Sequence, residues 1–226
     1  MPERHIVAVG GGVFCEGLAD YLVGLTGRER PRLLHVGTAS KEQAEEALRT
    51  YDSFAGRADV RRLEFFPWPP EDLEAYTLEH DLIWVSGGNT ANALAIWRVH
   101  GFDAILRKAW ERGVVLSGSS AGGICWFEHG ITDSFGPQLA TLECLGFLGG
   151  SLCPHYDDEE RRRPVYHGLI RDGFPAGHAA DAGVGMHYVG DDLREVVACR
   201  AGTTAYRVGL EGGAVLESPL PARVLG

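Results

Sequence analysis

Apolar residues come along this chain in short unbroken runs, each closed by glycine and small polar residues and followed by a stretch with helical spacing. Ile6-Val7-Ala8-Val9 closes on Gly10-Gly11-Gly12, and Leu18, Tyr21 and Leu22 then recur at helical intervals across residues 16–25. Residues 32–36 form a second strand-like run, closed by Gly37-Thr38-Ala39-Ser40. Ser40 with Gln43 three positions on has the capping-box pattern and predicts a helix through Ala44, Ala47 and Leu48. Residues 60–66 read as another strand, Pro67-Trp68-Pro69-Pro70 as a stiff loop, and residues 72–79 as a short helix. Residues 81–85 break into Ser86-Gly87-Gly88-Asn89-Thr90, helices follow over 91–99 and 102–112, and Val114-Val115-Leu116 leads into Ser117-Gly118-Ser119-Ser120-Ala121-Gly122-Gly123. Beyond that turn, residues 124–127 are expected to begin a helix.

Runs without polar alternation belong to strands buried on both faces, so this order of strand and helix predicts an α/β fold with a mainly parallel sheet flanked by helices. From residue 182 the pattern changes. Runs at 184–188, 195–199, 204–208 and 214–216 are separated by glycine turns, as in antiparallel hairpins. Neither a repeat nor a linker interrupts the chain, which reads as one domain over residues 1–226.

Composition narrows the function. Of the 226 residues, 45% are hydrophobic and 23% charged, ordinary for a globular protein, and the formal net charge of -10 lacks the basic footprint that nucleic acid or an anionic membrane needs. No apolar run is long enough to span a bilayer, and the N-terminus lacks the layout of a signal peptide. Five scattered cysteines without a C-x-x-C pair suit reduced thiols in a cytoplasm and offer no structural zinc site. A soluble cytoplasmic protein needing no metal or cofactor is expected.

Gly118-Ser119-Ser120-Ala121-Gly122 fits G-x-S-x-G, the strand-to-helix elbow that pushes one hydroxyl out over a sheet edge. Small neighbours relieve the crowding of such a turn, and a helix N-terminus aims free N–H groups at charge forming beside Ser120. A plain connection and a phosphate-holding loop have the same five letters. Gly10-Gly11-Gly12 falls short of a dinucleotide fingerprint, because Cys15 stands where the third glycine belongs. A serine nucleophile needs a base and oxyanion donors. Among nine histidines, His155 stands out, since it follows Pro154 at the end of an apolar run and precedes a polar loop. A loop histidine without a task is the alternative. The Ala121 N–H is one candidate donor, and the Gly87-Gly88 turn offers another. Arg161-Arg162-Arg163 reads either as a carboxylate site or as a solvated face paired with the preceding acids.

Gly37-Thr38-Ala39-Ser40, Ser86-Gly87-Gly88-Asn89-Thr90, the Ser120 elbow and Cys153-Pro154-His155-Tyr156 together resemble, in order and spacing, the peptidase E (alpha-aspartyl dipeptidase) family of serine peptidases, which includes cyanophycinases. The resemblance implies a three-layer fold similar to class I glutamine amidotransferases, with serine where those carry cysteine. It implies Ser120 as nucleophile, His155 as base, and the Gly88 and Ala121 N–H groups as oxyanion hole. The third member would be Asp181, one residue displaced from the family's pattern, or Asp133, a loop acid. Asn89 and one of Arg161, Arg162 and Arg163 would bind substrate. The resemblance thus implies a cytoplasmic serine peptidase for short peptides, dipeptides with an acidic first residue above all, with a small peptide as partner and a homodimer left open. Its rivals are an α/β-hydrolase esterase, whose late histidine would be His187, and a silent binding protein on the same fold.

Overall fold

Side-by-side placement of the apolar runs is what the sequence pattern demands, and those of the first half lie in one large sheet. In the computed structural model, which describes residues 2–12 and 14–226, strand His5–Val9 (β1) is followed by helix Glu16–Leu25 (α1), strand Arg32–Val36 (β2) and helix Ala44–Ser53 (α2). Strand Asp59–Leu63 (β3), helix Leu73–Leu78 (α3) and strand Leu82–Val85 (β4) come next. Helices Thr90–His100 (α4) and Phe102–Glu111 (α5) then lead to strand Val115–Ser119 (β5) and the short helix Ala121–Ile124 (α6). These five strands are parallel in the order β1-β5-β4-β2-β3. The two-residue period of a strand divides their side chains between two cores. Ile6 and Ala8 pack with Leu94, Trp97, Phe102 and Trp110 of α4 and α5, whereas Val7 and Val9 pack with Leu18 and Leu22 of α1 and with Phe54. Each such fully buried large side chain contributes about 1.5–3 kcal/mol.

The second half adds strands Phe127–Thr132 (β6), Ala140–Glu143 (β7) and Leu148–Cys153 (β8), helix Arg162–Arg171 (α7), and strands Gly177–Ala180 (β9), Val184–Val189 (β10) and Asp192–Ala198 (β11). It ends with Ala205–Glu211 (β12), Ala214–Leu220 (β13) and Ala222–Val224 (β14). The expected hairpins form, but in different sheets. The β10–β11 hairpin extends the large sheet beyond β1, with β14 parallel on β11, while β12–β13 joins a second, six-stranded sheet ordered β13-β12-β9-β8-β6-β7.

Four local expectations are corrected. The helix expected at 124–127 stops at Ile124, and Phe127 opens β6, because Trp126 and Phe127 are both fully buried in the core between the sheets. No capping box forms at Ser40: its hydroxyl donates to the Gly37 carbonyl within a single 3-10 turn, and Lys41 and Glu42, at φ 61° and 56°, separate that turn from α2. The arginine run opens α7, where the sequence suggested a loop. Finally, the cysteines are not all free thiols. Cys15 at the start of α1 is disulfide-bonded to Cys199 just after β11, with Cα atoms 5.6 Å apart. The 184-residue separation hides this pairing from the sequence; the antiparallel docking of β10 on β1 creates it. A reduced-thiol argument for a cytoplasmic location loses its footing there. No helix among the described residues is long and apolar enough to cross a membrane.

Candidate active site

The elbow after β5 is built by what its neighbours lack. A Cβ at Gly118 or Gly122 would run into the Val85 carbonyl of the adjacent strand, so α6 sits directly on β4 and β5. Ser120 is held between them at φ 55° and ψ -110°, its own N–H donating to the Val9 carbonyl at 2.9 Å. Only four non-glycine residues among those described have positive φ: Lys41, Glu42, Ser120 and His155. Such strain persists where the surrounding structure over-determines it.

His155 is the other strained residue that matters. It follows β8 and Pro154 at φ 54°, and its N–H donates to the Gly10 carbonyl at 2.8 Å. A Cβ on Gly11 would occupy the space of the imidazole ring. With that space open, Nε2 lies 2.9 Å from Ser120 Oγ. Gly10-Gly11-Gly12 therefore supports the histidine, a role that the sequence reading of this turn did not foresee. Its signal was the missing side chain, which equally fits a nucleotide loop.

The ring's other nitrogen, Nδ1, lies 3.3 Å from Asp158 Oδ1 and 3.9 Å from Glu159 Oε1. Glu159 is committed elsewhere: burial raises its pKa, but the hydrogen bond and charge of Arg162, at 2.6 Å, outweigh that and hold it below the usual range. Asp158 has no other ion pair among the described residues. Neither acid expected from the sequence reaches the imidazole. Asp181 is buried and turned towards the start of β12, accepting the Thr204 N–H at 2.9 Å. Its other oxygen has no partner, and burial, reinforced by Asp157, pushes its pKa up. Asp133 is exposed and lines a separate hollow with Glu159, Glu160 and Arg161.

The expected substrate-binding residues are likewise dispersed. Arg162 is buried and binds the Ile131 carbonyl and Glu159. Arg163 lies over the rings of Tyr156 and Tyr206, 3.5 Å from Glu217, and Arg161 faces the hollow of Asp133. Asn89 caps α4 through the Asn92 N–H and donates to the Ser134 carbonyl. Gly88, at φ 131°, passes so close to the Ala39 carbonyl that no side chain fits. The N–H groups of Gly88 and Ala121 have no acceptor among the described residues. His187 is engaged by His5 and Tyr21 inside the protein, which removes it as a partner for Ser120.

Ser120, His155, Gly87 and Gly88 line one cleft of about 340 Å³, walled by Phe14, Phe54 and Trp84 and by residues of α2. That volume is at the small end of ligand sites. No group of three or more histidine, cysteine or acidic side chains among the described residues gathers as a metal site.

Residues 6–196 match the family model described as Peptidase family S51. The "Uncharacterized peptidase YgaJ" of Bacillus subtilis (strain 168) is 45% identical over 230 residues, covering 99% of this chain and 100% of the relative. Among solved structures, a peptidase from an acI-B1 Actinobacterium superposes with a TM-score of 0.69 at 16% identity, over 97% of this chain and 95% of its own. A putative peptidase E protein from Listeria monocytogenes EGD-e does so with a TM-score of 0.61 at 14% identity, over 85% and 97%. These two show the shared fold, and the first two comparisons give the family: the chain belongs to peptidase family S51.

Proposed function

We propose that the protein is a serine peptidase that hydrolyses short peptides, dipeptides with an acidic first residue above all, through a Ser120–His155–Asp158 relay and an acyl-enzyme. The observation that carries this reading is the strained Ser120 hydroxyl 2.9 Å from His155 Nε2 on the floor of a small cleft. Ser120 Oγ attacks the scissile carbonyl carbon while Nε2 takes its proton, and the carbonyl electron pair moves onto oxygen. The free N–H groups of Gly88 and Ala121 are suited to hold that oxyanion. Collapse breaks the C–N bond, and His155 hands its proton to the leaving amine. A water molecule, deprotonated by the same nitrogen, then attacks the ester, releasing the carboxylate product and Ser120. Asp158, beside Nδ1, keeps the proton on that nitrogen so that Nε2 faces serine as a base.

The test is turnover of X-Leu dipeptides, with X as Asp, Glu, Asn, Ala and Lys, by wild type and Ser120→Ala. Loss of the order of 10⁶ in kcat with an unchanged thermal midpoint is expected, by comparison with other serine peptidases. Undiminished turnover in the variant overturns the scheme. Labelling of wild type but not the variant by a serine-directed phosphonate separates an enzyme given the wrong peptide from a protein without a reactive serine.

A further inference from the structure

One face of α2 looks into the cleft that holds Ser120. Glu46, Arg49, Thr50 and Ser53 all line it, at the i, i+3, i+4 and i+7 spacing that puts residues on one side of a helix. Arg49 is the one arginine or lysine among the described lining residues. Its side chain is 75% exposed and its guanidinium rests on Glu46 Oε1 at 2.7 Å, an i,i+3 pair of the kind that exchanges partners at little cost. Thr50, by contrast, is buried and fixed by His35 Nδ1 at 2.9 Å, so the helix beneath the arginine is anchored while the arginine itself is not. Phe14, Phe54 and Trp84 form an aromatic wall of the same cleft.

We infer that Arg49 is the specificity residue of the cleft, releasing Glu46 to bind a carboxylate of the substrate peptide through its two-nitrogen fork. This inference rests on the peptidase reading above. A peptide offers two carboxylates, the side chain of an acidic first residue and its own C-terminus, and guanidinium geometry suits both. Arg161, Arg162 and Arg163 do not line this cleft. Glu46 acts as a placeholder, keeping the arginine over the cleft when no substrate is present.

Four peptides separate the sources: Asp-Leu, Asp-Leu-amide, Ala-Leu and Ala-Leu-amide, the last with neither carboxylate. Arg49→Gln is expected to raise KM about 10- to 100-fold for the carboxylate-bearing peptides relative to Ala-Leu-amide, with kcat changing much less. Arg49→Lys recovers part of the loss, and Glu46→Gln, which frees the guanidinium, lowers KM for the same peptides. A penalty on both Asp peptides identifies the side chain; one on both free-acid peptides identifies the C-terminus. Equal KM changes on all four peptides, or none, overturn the inference while Ser120-dependent turnover leaves the peptidase reading standing. Absence of any Ser120-dependent turnover overturns both.

Discussion

The turns that carry Ser120 and His155 reach nearly the same positive φ, 55° and 54°, but find the room for it in different ways. At Ser120 the room is made by glycines of its own motif, while the Val9 carbonyl holds its N–H from outside. Gly118 and Gly122, two residues to either side, let β5, α6 and β4 close around it. At His155 the room is made by residues far away in sequence, although Asp158, three positions on, flanks the ring. The Gly10 carbonyl holds its N–H, Gly11 leaves room for its ring, and Asp157 beyond it is pinned by the Ala182 N–H at 2.7 Å and by Arg200 at 3.0 Å. Tyr156 is anchored on the far side by Glu217 at 2.6 Å. The room for a strained residue can thus come from glycines of its own motif or from glycines elsewhere in the chain, and mutations act differently on the two.

The sharpest way to break that symmetry is to add one methyl group where each residue finds its room. In Gly122→Ala the new carbon meets the Val85 carbonyl, a backbone group that cannot rotate away, and a severe loss of stability is expected. Gly11→Ala meets an imidazole instead, at a φ of 104° that costs about 1–3 kcal/mol for alanine. The ring has to swing away, so kcat falls at least about 100-fold while folding survives, since misplacing a reacting group by an ångström has that effect. Circular dichroism melts and kcat on one peptide check both; an active, equally stable Gly11→Ala protein contradicts the support assigned to that turn. Asp158→Asn comes next. Asp158 is 45% exposed, so its pairing with Nδ1 is partly screened, and a fall in kcat of about 10- to 100-fold is expected, well short of that for a buried acid.

The same contrast explains what the sequence disclosed. The parallel sheet was legible because burial on both faces leaves continuous runs such as Leu82–Val85, and Ser120 was legible because the small residues that give it room lie within a five-residue motif. His155 could be picked out by its position after Pro154, but not what surrounds it. Asp158 sits in the acidic run 157–160, where one carboxylate looks like the next; only the backbone turn at His155 brings Nδ1 to it. Arg49 was hidden for a related reason. It reads as a solvated helix charge until α2 is docked and the 46, 49, 50, 53 face turns out to border the cleft. The Cys15–Cys199 pair depended on how β10 returns to β1, which no local pattern encodes.

The smallest effect on turnover, and the one that separates two acids directly, is expected from Asp181→Asn. Asp181 touches Thr204 and not the imidazole, so kcat should stay within about twofold of wild type, against the larger loss in Asp158→Asn. Stability is where it should act. Burial raises the folded-state pKa of Asp181 above its ordinary 3.8. The folded protein therefore holds that proton more tightly than the unfolded chain. This contribution favours folding only while the carboxyl is protonated, and it is lost as pH rises through the raised pKa. At pH 7 the native state carries a buried carboxylate with one oxygen unpartnered, a cost that the neutral amide avoids. Asp181→Asn should match or exceed the wild-type thermal midpoint at pH 7, and that advantage should shrink as the pH is lowered towards 4. A midpoint that drops at pH 7, together with a kcat loss as large as that of Asp158→Asn, would return Asp181 to the catalytic relay and leave Asp158 as a surface acid.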